Sequence, residues 1–546
     1  MKKSIFSLSL IAAMALSSCS SDEPATIGGE DNGNGDARYL AVNIVSPKES
    51  ASHAMAGSRA GSDDGFADGS SDENSAETGL FLFFDEKGNS TQSPQTVKLG
   101  WSDNKSDSPA VEKISDAVLV IAGNTAPSQV LVILNAPEFT ETWINGQSLT
   151  EIRSRINKYN ITTSGKFIMT NSVYLDGSKE VCATDIKDKT YKTKEEAQEN
   201  SVNIYVERVV AKVTTSKVSD ITNNGATLED FGGHEGSDVK LTLDIEGIEI
   251  ANIAETSYLF KNIAGNNTWN DLWNNWNDAN NKRSYWATCP TDLKYLNKSW
   301  NNIKSTETEI DAQQFYVQEN TTGQKTAVLI TGTLKKDGNT FSFLRFGGVY
   351  YEYNDDFMAH YAQLLNNAGF RESYIDGGTT KYRTIDPSEL RWLTPEEHAA
   401  KVEDKTLKGY EETAIVKAIK EDAAGLAKIE GDSYTNTDIN TVNKFLLEKQ
   451  NLAWVWKDGK CYYFKNIEHF GPNNTDSGKM NFDEGVVRNH IYDLTLNSVK
   501  GVGVPVYNPD EDIIPEIPQD DLFYLSATIN ILKWKIVKQT VDFNIN

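Results

Sequence analysis

The chain has 546 residues, of which 38% are hydrophobic and 10% aromatic, so its length suggests about two to four globular domains with sizeable cores. Its 53 Lys and Arg residues against 78 Asp and Glu residues give a formal net charge of −25. This balance argues against a nucleic-acid partner, because phosphate binding needs concentrated positive charge. The acidity itself is typical of an exposed soluble protein.

Residues 1–18 have the pattern of a secretory signal peptide, with Lys2 and Lys3 ahead of an apolar run over residues 5–16. That run is too short to span a bilayer as a helix. Its end, Leu16-Ser17-Ser18-Cys19, resembles a bacterial lipobox, in which the cysteine becomes the lipidated first residue. We therefore predict Cys19 as a lipidation site and the only membrane anchor. An ordinary signal peptide with an incidental cysteine is the alternative.

A short strand is predicted over residues 39–45, because Leu40, Val42 and Ile44 alternate with Ala41 and Asn43. Gly/Ser/Asp-rich segments surround it, and the segment that follows contains Arg59. A strand tethered by a cleavable linker can be removed and replaced, and we take this replaceability as the working hypothesis for function. The alternative is that Arg59 is an ordinary charged linker residue.

The following elements are mainly strands, which indicates a β-sandwich. Residues 79–85 are continuously apolar and predict a strand buried on both faces. One short helix is predicted over residues 148–156. The predicted strands of this first unit lie at residues 79–85, 117–122, 130–135, 166–171 and 202–213, the last of which closes it.

The second unit begins with an alternating strand at residues 239–247. A hairpin is predicted from residues 324–334 and 340–346. Helices are predicted over residues 355–368 and after Thr394, which is an N-cap residue followed by proline. We interpret these helices and residues 403–427 as insertions on a β scaffold. The scaffold is predicted to continue in strands at residues 460–464 and 491–496.

The C-terminal tail has an apolar pattern that changes phase. Its alternating residues are Leu525, Ala527, Ile529 and Ile531, followed on even positions by Leu532, Trp534 and Ile536. A shift of one residue predicts a bulge or a break, so we expect two strand pieces.

Tryptophans are concentrated between residues 266 and 300. Trp269, Trp273 and Trp276 have helical spacing, with Trp286 and Trp300 beyond them. A helix that packs its indoles on the sandwich is favoured over an aromatic platform for sugar stacking.

No pattern of catalytic or metal-binding residues stands out, so we predict neither an enzyme nor a cofactor nor a metal. None of the six histidines, His53, His234, His360, His398, His469 and His490, has a second ligand at metal-binding spacing. The loop at Asp510, Glu511 and Asp512 is only a weak calcium candidate. Besides Cys19, the chain has Cys182, Cys289 and Cys461, which allow at most one internal disulfide, such as Cys289 with Cys461. Free buried thiols are the equal alternative.

Several segments, taken in their order and spacing, resemble the fimbrillins of Bacteroidales type V pili, and most closely their minor-fimbrium (Mfa) type shaft subunits. They comprise the lipobox, the strand before Ser58-Arg59-Ala60, and the C-terminal region around Trp534, together with residues 132–137, 167–172, 206–213 and 487–492.

The resemblance implies an all-β fold of two transthyretin-like Greek-key β-sandwich domains with short helical insertions. It also implies outer-membrane lipoprotein export and cleavage by a trypsin-like protease between Arg59 and Ala60, which removes the strand of Leu40, Val42 and Ile44. Arg38 and Lys48 are rival basic sites, although cleavage at Arg38 would leave the strand in place. The family's donor strand corresponds to the tail with Leu525, Ala527, Ile529, Ile531 and Trp534; a permanent strand of the second domain is the alternative.

The expected division is a signal peptide (1–18), a lipidated propeptide with the removable strand (19–59), an N-terminal sandwich (60–212) and a C-terminal sandwich with the donor tail (213–546). The expected function is that of a pilus shaft subunit in a cell-surface fimbrium, which polymerises by donor-strand exchange and supports adhesion and biofilm formation. Its expected partners are further copies of the chain, anchor and tip subunits, and the maturation protease. The alternatives are an accessory, anchor or tip subunit, or a monomeric glycan-binding surface lipoprotein.

Overall fold

The computed structural model describes most of the chain beyond the leader. The described residues are 25–26, 38–46, 69–70, 73, 76–103, 113–121, 126–136, 144–157, 167–223, 225–265, 276–305, 312–417, 419–469, 485–515, 524–532 and 537–538.

The first unit is built of thirteen strands and two short helices in the described residues. The strands are β1 (Ala25–Thr26), β2 (Arg38–Ser46), β3 (Thr78–Phe84), β4 (Gln95–Lys98), β5 (Ser102–Asp103), β6 (Lys113–Ile121), β7 (Gln129–Leu134), β8 (Ile156–Asn157), β9 (Met169–Asn171), β10 (Tyr174–Asp176), β11 (Lys179–Val181), β12 (Thr184–Asp185) and β13 (Val202–Arg208), and the helices are α1 (Leu149–Arg153) and α2 (Lys194–Glu199). The predicted helix over residues 148–156 is confirmed as α1, which begins at a Ser148 capping box.

Its hydrogen-bonded strand order is β1-β6-β2-β13-β9-β7-β3-β4, with β5 beside β6 and β12 beside β7. Strand β13 joins the two layers, because residues 202–205 pair with β2 and residues 206–208 pair with β9. The core between the layers holds Leu119 of β6, Phe81 of β3 and Val132 of β7, all fully buried.

Strand β3 is buried on both faces, as predicted. Phe81 and Phe83 enter the core between the layers. Leu80 and Leu82 enter a second apolar cluster, which is covered by residues such as Phe260 from the second unit. The continuous apolar run of β3 is therefore explained by two separate cores.

The second unit contains the strands β14 (Val210–Asn223), β15 (Ala226–Leu228), β16 (Val239–Ala251), β17 (Ile253–Ala254), β18 (Ser257–Tyr258), β19 (Asn277–Asp278), β20 (Arg283–Ser284), β21 (Tyr295–Leu296), β22 (Ala312–Gln318), β23 (Ala327–Lys336) and β24 (Asn339–Thr340).

After an insertion, the second unit continues with β35 (Lys460–Asn466), β36 (Ile491–Lys500), β37 (Val504–Pro505), β38 (Tyr524–Leu532) and β39 (Val537–Lys538). Its two sheets have the orders β22-β14-β36-β38-β39 and β15-β16-β23-β35-β37. Val213, Ile250, Ile330 and Leu494 fill the core between them. The chain is thus an all-β protein of two sandwiches, as predicted.

The insertion carries its own sheets. It consists of β25 (Phe343–Phe346), β26 (Val349–Glu352), α3 (Met358–Asn367), β27 (Phe370–Asp376), β28 (Thr379–Arg383), β29 (Leu390–Trp392), α4 (Pro395–Glu403), β30 (Glu411–Glu412), β31 (Ala414–Val416), β32 (Ala423–Glu430), β33 (Ser433–Thr437), α5 (Ile439–Leu446) and β34 (Ala453–Trp456). The predicted helices are confirmed as α3 and as α4, which has a Thr394 capping box. The insertion also has a separate core, around Tyr361, Leu365 and Val442, that the sequence did not predict.

Short 3-10 turns connect several of these elements. They lie at Phe231–Gly233, Trp300–Asn302, Asp355–Phe357, Pro387–Glu389, Lys449–Asn451 and Lys457–Gly459.

Two strand predictions were wrong in detail. Residues 202–213 form two strands, separated at Val209, and β14 belongs to the second sandwich. The predicted hairpin of residues 324–346 is shorter than expected, because β23 pairs with β24 alone while β25 pairs with β26 and β34. In the tail, the first predicted strand piece is confirmed as β38, which also includes Leu532. The second predicted piece, with Trp534 and Ile536, lies outside the described residues, and the next described strand, β39, begins at Val537.

Candidate functional site

Strand β2 is hydrogen-bonded along both edges. It pairs antiparallel with β6 over its whole length, from Arg38 opposite Ile121 to Ser46 opposite Lys113. On its other edge, residues 42–45 pair in parallel with residues 202–205 of β13. Removal of β2 would therefore leave unpaired backbone groups on two neighbouring strands.

The inward face of β2 supplies the three apolar side chains that the sequence singled out. Leu40, Val42 and Ile44 are each 0% exposed and belong to the core between the layers of the first sandwich. Burial of each such side chain contributes about 1.5–3 kcal/mol. A groove left by β2 would therefore be both apolar and rich in unpaired hydrogen-bonding groups.

The outward face of β2 is covered as well. Ala41 packs against Ala197 of α2, and Tyr39 exchanges backbone hydrogen bonds of 2.7 and 2.8 Å with Tyr191. Asn43 Nδ2 donates to Ser201 Oγ at 2.9 Å and to Asn203 Oδ1 at 3.1 Å. The strand is thus an integral part of the first sandwich.

The predicted processing residues Cys19, Arg59 and Ala60, and the rival Lys48, lie outside the described residues. Arg38, the other rival, is exposed at the start of β2 and donates from Nη1 to Thr190 Oγ1 at 3.4 Å. The structure therefore describes the strand that would be removed, but not the bond that would be cut.

The chain is fixed again at Glu73, downstream of the Arg59 linker. The Glu73 carboxylate is buried, lies 2.6 Å from Lys212 Nζ and accepts a 2.5 Å hydrogen bond from Tyr316 Oη. Burial alone would raise the pKa of Glu73, but the Lys212 ammonium and these hydrogen bonds hold it below its ordinary value. Because Arg208 Nε also donates to the Glu73 carbonyl at 3.0 Å, this anchor does not depend on β2.

The predicted donor residues Leu525, Ala527, Ile529 and Ile531 share strand β38, where their alternating positions place them on one face. Strand β38 pairs with β36 over its length, whereas β39 covers its other edge only at residues 530 and 531. Trp534 lies outside the described residues. In the single chain, β38 is therefore a strand of the second sandwich.

The tryptophan segment forms no exposed platform in its described part. Trp276, Trp286 and Trp300 are 1%, 8% and 4% exposed, and the first two pack in the cluster that covers β3. Trp269 and Trp273, and the helix predicted for them, lie outside the described residues.

The three internal cysteines are free and buried, so the suggested Cys289–Cys461 disulfide is absent. Burial raises the pKa of Cys182 to about 11 and those of Cys289 and Cys461 to about 12, which keeps the thiols protonated. These thiols are packing groups.

Within the described ranges, no group of three metal-ligating side chains comes together. Asp510 instead accepts a 2.7 Å hydrogen bond from Asn301, and Glu511 accepts one of 3.0 Å from Asn508. His469 and His490 are buried, and burial lowers their pKa values, that of His469 to about 3. Among the helices of the described residues, none is both long and apolar enough for a membrane span.

Sequence reasoning missed two buried ion pairs, of which Lys261–Glu207 joins the two sandwiches and Arg488–Glu319 lies within the second unit. Lys261 Nζ lies 2.7 Å from Glu207 Oε2, and Arg488 Nη2 lies 3.0 Å from Glu319 Oε2. All four side chains are at most 2% exposed. The available signal was the presence of Glu207-Arg208 and Arg488 beside the apolar positions of otherwise buried segments.

One protein-family model matches the C-terminal region. Residues 455–540 match the family described as major fimbrial subunit protein type IV, fimbrillin, C-terminal. The matched range spans β35 to β39 and so includes strand β38. A search of the curated proteins found none that matches the chain.

Among solved structures, a proposed cell adhesion protein from Parabacteroides distasonis is similar at 12% identity and a TM-score of 0.38, covering 92% of this chain and 98% of the other. The tip fimbrial protein Mfa3 from Porphyromonas gingivalis is similar at 10% identity and a TM-score of 0.31, covering 91% and 100%. The fimbrial anchor protein Mfa2 from the same organism is similar at 9% identity and a TM-score of 0.24, covering 54% and 77%.

These TM-scores are all below 0.5, so the similarity that carries weight is the family-model match. Over residues 455–540, the chain is similar to the C-terminal region of fimbrillins.

Proposed function

We propose that this chain is a structural shaft subunit of a type V fimbria, without enzymatic activity. It is exported as an outer-membrane lipoprotein through Cys19, cleaved between Arg59 and Ala60 by a trypsin-like protease, and polymerised by donor-strand exchange into a cell-surface fimbrium that supports adhesion and biofilm formation. The residues before Ala60 act as the propeptide, and the two sandwiches form the mature subunit.

The observation that carries the proposal is the setting of β2. Its Leu40, Val42 and Ile44 side chains are fully buried, and its backbone pairs with β6 and β13. An incoming strand with alternating apolar residues would restore both the core and the ladder. Three aliphatic side chains at about 1.5–3 kcal/mol each, before ordering costs, would make a strong joint.

Strand β38 is the proposed donor. It has nine residues, as does β2, and its sequence alternates Leu525, Ala527, Ile529 and Ile531. Its outer edge is covered by β39 at only two positions. In the polymer, the tail would leave β36 and enter the β2 groove of the next subunit.

The test is limited trypsin digestion of the full chain, with sequencing of the new N-terminus and detection of SDS-resistant ladders. We expect Ala60 as the new N-terminus and ladders only after cleavage. Arg59→Ala should remain monomeric, whereas the matched control Arg38→Ala should assemble. Assembly of Arg59→Ala, or cleaved chains that stay monomeric, would contradict the proposal.

A variant of the proposed donor strand tests the donor strand and the acceptor groove separately. Ile529→Asp places a charge on the proposed donor face, so its cleaved form should not polymerise alone. It should still accept the tail of an uncleavable Arg59→Ala chain, because its own groove is intact. Failure to form this mixed dimer would assign the defect to folding or to another strand.

Other roles within the fimbria lead to different outcomes. Anchor subunits would lack productive cleavage, and tip subunits would lack a usable donor tail. A monomeric glycan-binding lipoprotein that uses residues 269–300 is the further alternative; the burial of Trp276, Trp286 and Trp300 weighs against it. Tryptophan-fluorescence titration with glycans distinguishes it from the shaft subunit.

A further inference from the structure

A cleft of about 740 Å³ opens on the first sandwich, on the side away from its core. It is lined by residues of α1, the β10–β11 hairpin, β13 and the turn before β20 of the second unit. Protein sites for small molecules usually enclose about 300–1,000 Å³, so the cleft is large enough for a short oligomer of small rings. The function proposed above makes no use of it.

The walls of the cleft are held in place without a ligand. Asn277 binds the β10–β11 hairpin through Leu175, whose N–H donates to Oδ1 at 2.6 Å and whose carbonyl accepts from Nδ2 at 3.0 Å. Ser284 Oγ donates to the Val173 carbonyl at 2.7 Å. A preformed cleft loses less conformational entropy on binding.

Most charges in the cleft already have partners. The Arg153 guanidinium forms an ion pair with Glu180, and Lys187 Nζ lies 2.5 Å from Glu86 Oε1. Lys282 Nζ lies 5.6 Å from the centre of the Tyr174 ring. The lining contains four acidic and four basic side chains, so a charged ligand would meet no net complementary charge.

What remains is a surface of mixed donors and acceptors beside two aromatic rings. Asp176 offers a carboxylate. Asn203 and Thr184 offer an amide and a hydroxyl whose oxygens already accept from Asn43 and Asn171, so a ligand would meet their donors. Tyr174 and Tyr205 line the same space. Burial raises the pKa of Tyr174, so its phenol stays neutral and able to donate a hydrogen bond. Rings with apolar faces and hydroxyl edges match this combination of groups.

We propose that this cleft binds a neutral oligosaccharide, with Tyr205 against a sugar ring and Asn203 and Asp176 on its hydroxyls. The proposal does not rest on strand exchange, because the cleft is formed in the uncleaved chain. A bound sugar would give the body of each subunit a carbohydrate-binding site of its own.

The experiment is isothermal titration of the full uncleaved chain with defined probes. The neutral probes are cellotetraose, mannotetraose, xylotetraose and N-acetylchitotetraose, and the charged comparators are tetragalacturonate and a heparin tetrasaccharide. We expect at least one neutral probe to bind and Tyr205→Ala to weaken it about tenfold or more. The control Tyr434→Ala changes an exposed tyrosine outside the cleft and should bind normally.

A second variant distinguishes the loss of a sugar contact from misfolding. Asp176 lies at an exposed end of β10, so Asp176→Ala should lose affinity for the sugar without a change in the thermal unfolding midpoint. The inference would be overturned if only charged probes bound, if no probe bound, or if both cleft variants bound the neutral probes as tightly as the unmodified chain. Ladder formation after cleavage, measured on the same variants, reports separately on strand exchange.

Discussion

Strands β2 and β38 lie near opposite ends of the chain and are alike in isolation. Each has nine residues, alternates apolar positions and pairs antiparallel with one long neighbour. They differ at the second edge, where β2 has four partner positions on β13 and β38 has two on β39. The β38 ladder is also interrupted by a bulge between Leu496 and Ser498 of β36. Similar strands are therefore fixed to different degrees by their neighbours.

The largest expected effect concerns the Glu73–Lys212 ion pair, which anchors the chain downstream of the linker without the help of β2. Lys212→Met leaves the Glu73 carboxylate buried without its cation, so unfolding free energy should fall by about 3–5 kcal/mol. Denaturant titration measures this loss. The double variant Glu73→Gln with Lys212→Met removes both charges and should recover most of it; equal losses in both variants would mean that the charge pair is not the cause.

The next prediction compares the strands directly. Leu40→Ala removes a fully buried side chain from β2 and should destabilise the uncleaved chain by about 2–5 kcal/mol. Leu525→Ala near the start of β38 should cost clearly less, because that end of the strand has no partner on β39. Thermal unfolding of both variants decides this, and a larger loss for Leu525→Ala would reverse the comparison.

Acid should loosen the second sandwich through His469, whose Nδ1 lies 2.7 Å from the Tyr492 hydroxyl of β36. Burial lowers the folded pKa of His469 to about 3, below an unfolded value of about 6.5. The unfolded state therefore binds more protons between these values, and stability falls as pH falls, by about 1.4 kcal/mol per pH unit for one histidine.

We expect protease sensitivity at pH 5 to rise in β36–β38 before β2. His469→Gln should flatten the pH dependence, whereas the exposed control His234→Gln should not. An unchanged slope in His469→Gln would contradict the assignment.

The smallest effect concerns amide exchange in the unmodified chain. The amides of β2 should exchange more slowly than those of residues 524–529, since the latter lack a partner strand on their outer edge in the described residues. Mass spectrometry of peptic peptides measures the ratio. Equal protection would show that the outer edge of β38 is covered in solution.

Local patterns in the sequence predicted much of this architecture. The alternation of Leu40, Val42 and Ile44 predicted the buried face of β2, and the alternation of Leu525, Ala527, Ile529 and Ile531 predicted a strand that is found as β38. The N-cap residue Thr394 marked the start of a helix. Each of these features depends on neighbours in sequence, so local reasoning was sufficient.

Features that depend on distant contacts were not predictable in this way. Residues 202–213 were predicted as one strand, although their alternating apolar residues shift by one position across Glu207-Arg208. Only the pairing with β9 and β22 shows which sheet each half joins. The Glu73–Lys212 pair joins residues 139 positions apart in the numbering, and the 740 Å³ cleft draws on both sandwiches. No periodicity within one segment reports such contacts.

The break at Val209 has a mechanical consequence. A single residue separates β13, which borders the β2 groove, from β14, which pairs with β36, the strand beside the proposed donor. Tension entering through a strand bound in the groove would pass along an almost continuous β13–β14 ribbon into the sheet that contains the proposed donor. Hydrogen bonds flanking that ribbon would then be sheared together instead of being opened one by one, which is the more resistant geometry for a filament under flow.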